Sequence, residues 1–219
     1  MHIIDIPSEQ TTAFTDIMLA VISFSIARMV YKTGNQNEPK KTAIWTWAFS
    51  LLGIGSIIAS AAHGLQMSAA FNFILWQPIN LSLGLMISLI IAGVFYDLNG
   101  RLPHAVLPVS LGLGVVFYAI TIIIPGQFFV FILYEAVAMV FALISYGILS
   151  IRGNLSGAWY MALGILMSIV AAVIQATDSI SLNFIWQFDH NGIFHLVQML
   201  GMALLFKGLK ASIKPQAAR

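Results

Sequence analysis

Seven stretches of about 20 residues, each nearly free of charged side chains, follow one another along this chain. A helix crosses the roughly 30 Å hydrocarbon core of a bilayer with about that many residues. Helices and closed barrels alone do so without leaving backbone groups unpaired in lipid. The runs lie at about 12–32, 42–65, 70–96, 104–124, 128–150, 156–178 and 191–211. They predict an all-α polytopic membrane protein, a single seven-helix transmembrane domain over residues 1–219. Composition agrees. Only 8% of the residues are charged and 59% are hydrophobic, where soluble domains carry roughly 25% charged residues. So little charge cannot furnish a solvated surface. The connections are short, which predicts one bundle without an extramembrane domain, and no internal repeat of the kind that builds many transporters stands out.

Basic residues set an expected orientation. Arg28, Lys32, Lys40 and Lys41 flank the first loop, Arg101 lies in the third and Arg152 in the fifth. Lys207, Lys210, Lys214 and Arg219 close the chain. All ten Lys and Arg fall on one side, which the positive-inside rule makes cytoplasmic. The N-terminus is then outside and the C-terminus inside, as an odd number of spans requires. The opening MHIIDIPSEQTT lacks the basic segment of a signal peptide, so the first span is expected to stay in place. The chain has no cysteine, which excludes disulfides and thiolate metal sites. It has no basic cluster interleaved with aromatics, which argues against nucleic-acid partners.

Polar residues inside spans are costly and point to function. On this orientation most lie at the outer ends: Asp16, His63, Gln77, Asn80, Glu135, Gln175, Asp178, Asp189, His190, Asn191 and His195. Ser56, Ser60 and His63 share one face of span 2, Asn191, His195 and Gln198 one face of span 7, and Ser168, Gln175 and Asp178 one face of span 6. Facing lipid, these stripes would be unsatisfied, so they are expected to line a shared pocket opening outward. Simpler readings stand beside this one. The serines and Gln198 can hydrogen-bond neighbouring helices, and Asp189 and Asn191 can cap span 7. Asp16 reads as a solvated residue in a frayed first turn. Three histidines at one depth suggest a metal, because three His and an open position make a catalytic zinc arrangement. His190 and His195 are about 140° apart on an ideal helix. They reach one ion only if His190 lies in a non-helical entry turn.

The stretches SIIASAAHGL (56–65) and DHNGIFHLVQ (189–198), with the seven-span topology, resemble the alkaline ceramidases. These belong to a superfamily of metal-dependent hydrolases that also includes the progestin and adiponectin receptors. The resemblance implies zinc held by His63, His190 and His195, with a lipid amide or ester as substrate. The chain departs from the pattern at Ala59, where a serine usually stands four before the span-2 histidine. It departs again in the span-7 histidines, five apart instead of four, and in span 3, where Gln77 and Asn80 stand in place of an aspartate. The chain is also similar to bacterial seven-span proteins whose last span opens with a His-Asn…His pattern, which implies a bacterial inner membrane.

Two functions are therefore expected. In the first, a zinc-bound water attacks a lipid amide or ester. Glu135, Asp178 or Asp189 takes the base role, and Ser60 donates to the developing oxyanion. In the second, the bundle is a non-catalytic sensor, or a binder of lipids or other small molecules. A proton or ion pathway ranks below both, because the inner halves of the spans offer few acids or histidines.

Overall fold

The computed structural model describes residues 2–34, 36–124, 128–177 and 179–213. Seven helices follow in order: α1 Pro7–Gly34, α2 Pro39–Gly64, α3 Ala69–Asn99, α4 Val106–Ile123, α5 Phe128–Ile151, α6 Ala158–Gln175 and α7 His190–Ile213. All seven contain a segment long and apolar enough to cross a membrane. The chain is an integral-membrane type of all-α bundle, and the expected spans sit within a few residues of the helices. The chief difference is at α1. It starts five residues earlier than expected because the polar turn PSEQT is helical.

Local chemistry sets the ends. Pro39 opens α2, where its missing N–H costs nothing. Ser68 caps α3 by accepting from Phe71 N at 3.3 Å. Gly100, at φ 65°, ends α3 in the left-handed region.

Neighbouring helices pack in sequence, α7 closes onto α1, and α3 also meets α5, so the bundle rings a centre. α4 stands outermost, with only 17% of its span buried. The principal core fills the half towards the C-terminal end with Ile26, Val30, Trp45, Ile87, Met161 and Leu209. α6 and α7 approach at backbone distance. A Cβ on Gly164 would stand 2.9 Å from Gly201 O, and one on Gly208 would stand 2.8 Å from Gly157 O. α3 and α4 cross at Gly84 and Gly114 in the same way.

Two features at the N-terminal end were not expected from the sequence. Residues 2–4 pair with the end of α2 through Ile4 N to Gly64 O at 3.0 Å and Gln66 N to His2 O at 2.9 Å. The α6–α7 connection carries a two-stranded antiparallel hairpin, β1 Leu182–Asn183 and β2 Gln187–Phe188. Its Trp186 meets Phe14 of α1 edge-to-face at 5.8 Å.

Candidate binding cavity

A cavity of about 1170 Å³ occupies the N-terminal half of the bundle, and all seven helices contribute to its wall. That is at or above the ~300–1,000 Å³ of ordinary ligand pockets. Its polar lining includes Asp16, His63, Gln77, Glu135, Gln175, His190, Asn191 and His195. Of the three helix faces expected to converge, the α7 face lines the cavity with Asn191, His195 and Gln198, while the α6 face gives Gln175 but not Ser168. Ser56, Ala59 and His63 present the α2 face. Ser60 is not part of the wall. Its hydroxyl donates to Ile57 O at 2.8 Å, so it is not placed as an oxyanion donor. Asp178 lies outside the described residues.

Two carboxylate–histidine contacts organise the wall. His63 Nδ1 stands 2.8 Å from Glu9 Oε2, and the ring meets Trp76 edge-on at 5.6 Å. The N-terminal pairing onto Gly64 and Gln66 accompanies this contact between α1 and α2. His195 is 6% exposed and is held on both sides by α1. Its Nδ1 lies 2.8 Å from Thr15 Oγ1 and its Nε2 lies 3.3 Å from Asp16 Oδ1. Asp16 is therefore not solvated in a frayed turn. It is 2% exposed, because α7 and α2 cover the first turns of α1.

The order Thr15, His195, Asp16 matches a nucleophile, base and orienting acid. Burial argues against that use. Thr15 is 2% exposed and does not line the cavity, and its hydroxyl donates to Thr12 O at 2.9 Å.

Asp189 caps α7. Its Oδ1 accepts from Gly192 N at 2.9 Å and from Thr12 Oγ1 at 2.9 Å, so capping accounts for this residue and ties α7 to α1. His190 is the first residue of α7 and sits within the helix, not in a non-helical entry turn. Among the described residues no group of three or more His, Asp or Glu side chains is arranged to hold a metal ion. His63, His190 and His195 share the cavity wall, but both ring nitrogens of His195 already face α1 partners. This arrangement does not fit zinc.

Behind the wall, Asp16 Oδ2, Gln77 Oε1, Glu135 Oε2, Gln175 Oε1 and Gln198 Oε1 are buried and have no hydrogen-bond partner among the described residues. One amide orientation is fixed by its other end: Gln77 Nε2 donates to Phe73 O at 3.0 Å, which leaves oxygen as the unused atom. The Gln175 and Asn191 amides meet at 3.2 Å.

A second polar cluster, at the opposite end, escaped the sequence reading. Lys41 was expected to flank a loop, yet it is 2% exposed and pairs with Asp97 of α3. Asp97 Oδ2 accepts from Tyr146 of α5 at 3.0 Å, and Tyr96 donates to Glu38 at 2.6 Å. The aspartate one turn before the Asn99–Gly100 helix stop was the available signal.

A family model matches residues 11–214, from inside α1 to just past α7. The chain belongs to the DUF6962 family. It is described as a family of unknown function. No curated protein and no solved structure matches the chain.

Proposed function

We propose that this protein binds a small amphipathic molecule in the cavity. The observation that carries the reading is one wide cavity whose wall joins polar side chains, among them Asp16, His63, Gln77, Gln175 and Asn191, to apolar ones. Polar groups at membrane depth need partners, which the polar end of such a molecule supplies. Leu19, Leu52, Leu83 and Met86 line the deeper wall and suit an apolar tail. By the positive-inside rule the cavity faces the non-cytoplasmic side. Zinc-dependent hydrolysis has less support, because His195 is engaged by Thr15 and Asp16 and Ser60 is off the wall. The DUF6962 assignment favours neither reading.

The test is native mass spectrometry of the protein in nanodiscs. Wild type should retain one small molecule per chain, released on denaturation. Ala59→Phe, which projects a ring from the cavity wall, should lower its occupancy, and Asp16→Asn should weaken its retention. If wild type and Ala59→Phe carry the same bulk lipids at the same ratio, the proposal fails.

A further inference from the structure

The hairpin between α6 and α7 is unlike a connection that stands in water. Residues 179–188 carry no charged side chain. Phe184 and Ile185 at its tip are 85% and 76% exposed, with Leu182 and Trp186 exposed beside them. An apolar patch of this kind marks a surface that something else covers. Register gives the hairpin two faces. Leu182 pairs with Phe188 and Asn183 with Gln187, and opposed residues project from the same side of a ladder. The Phe188 side turns to the bundle: a Cβ on Gly192, in the first turn of α7, would stand 3.1 Å from Phe188 and 3.6 Å from Thr12 Oγ1. Asn183 and Gln187 therefore face away from the bundle. The base of the hairpin thus lies level with Thr12, while Trp186 near the tip reaches Phe14, further along α1. The hairpin runs down the flank of the bundle instead of standing up from its end.

Phe14 shares an exposed face of α1 with Ile17 and Val21. That face belongs to a membrane-spanning helix, so lipid is its solvent, and the Phe14–Trp186 contact joins it to the hairpin. Depth is limited from both sides. A hairpin of two paired positions leaves outward backbone N–H and C=O groups that hydrocarbon cannot serve, so it does not sink past the hydrated head groups. Its uncharged aromatic tip is poorly suited to water, and head-group depth is where Trp is enriched. We infer that the 182–188 hairpin is a membrane-surface anchor, seated among the head groups and upper acyl chains of the leaflet at the N-terminal end of the bundle. Phe184, Ile185 and Trp186 meet lipid, and Asn183 and Gln187 stay hydrated. The hairpin connects α6 to α7, which give Gln175 and Asn191 to the cavity wall. Its anchoring would hold that end of the cavity at head-group level. This goes beyond amphiphile binding and is tested without any amphiphile, so either idea can fail alone.

The experiment places one nitroxide at a time on the full chain, reconstituted in phosphatidylcholine bilayers, through Ile185→Cys, Asn183→Cys or Val21→Cys. The chain has no cysteine of its own, and all three side chains are exposed, so the labels disturb little packing. Collision with oxygen, which concentrates in lipid, is compared with collision with a water-soluble nickel chelate. The nitroxide at 185 should favour oxygen over nickel, and at 183 the preference should reverse. The label at 21 should exclude nickel more strongly than the one at 185. A nitroxide at 185 that meets nickel as freely as the one at 183 overturns the anchor, because the tip is then in water. One that excludes nickel as fully as the label at 21 overturns it too, because the tip is then in the hydrocarbon core. A label at 185 shielded from both reagents marks a second copy of the chain seated on the hairpin, and refutes the lipid assignment.

Discussion

Breaking the Lys41–Asp97 pair should destabilise the bundle more than any surface change, and by an amount the geometry bounds. Both side chains are 2% exposed, and each carboxylate oxygen has one partner, Lys41 on Oδ1 and Tyr146 on Oδ2 at 3.0 Å. Lys41→Met leaves a buried charge held only by a tyrosine. Removing one member of a buried pair costs about 3–5 kcal/mol, because the other charge stays buried without compensation. Tyr146→Phe removes only a hydrogen bond to a charged acceptor and should cost about 1.5–3 kcal/mol. Lys41→Met with Asp97→Asn removes both charges while keeping an oxygen for Tyr146. It should be more stable than Lys41→Met alone, with a coupling of up to about 3 kcal/mol. Trp45 is 1% exposed and one turn along α2 from Lys41. Its fluorescence during reversible SDS unfolding in mixed micelles reports the transition. Two results would refute this account of the pair: Lys41→Met within about 0.5 kcal/mol of wild type, or a cost for Lys41→Met that is the same with and without Asp97→Asn.

Other outcomes follow from the same structure. Gly164→Ala places a Cβ 2.8 Å from Leu205 N and should cost about 1–3 kcal/mol. Gly147→Ala meets nothing within 4 Å and should leave stability unchanged or raise it by up to about 1 kcal/mol; both are read by the same SDS titration. Asp189→Ala should lose about 1–2 kcal/mol with the α7 cap, and hydrogen exchange should quicken at Gly192. Because the chain has no cysteine, single cysteines at Asn183 and Arg101 report topology directly. An impermeant thiol reagent on intact cells should label the first and spare the second, and the reverse pattern refutes the N-out orientation. Elemental analysis of wild type beside His63→Ala should find no equimolar zinc in either. Zinc that vanishes with His63 would refute the histidine pairings described above.

The spans were legible because hydrophobic length is a one-dimensional property, and lipid leaves few alternatives to a helix. The level of the polar residues was legible too, since helix direction alternates and depth follows from position. Partnership was not. Asp16 and Lys41 each lie near a helix end, where solvated and buried readings look alike in sequence. Packing of α7 over α1, and of α3 over α2, decides between them. Glu9 meets His63 where residues 2–4 pair across Gly64 and Gln66, a non-local contact with no periodic signal. Ser60 was placed on the right helix but beside the wrong neighbours: helical spacing gives a face, and the cavity uses only part of it.

The backbone-close seam between α6 and α7 has a mechanical consequence. With glycines at both crossing points the two backbones close to contact, and Leu205 and Met161 fill what space the glycines leave, so sliding one helix past the other meets backbone at once. Gln175 on α6 and Asn191, His195 and Gln198 on α7 are thus carried by one tightly joined pair, like marks on a single ruler. A change in the cavity's width meets least packing on the facing side, where α4 is least embedded.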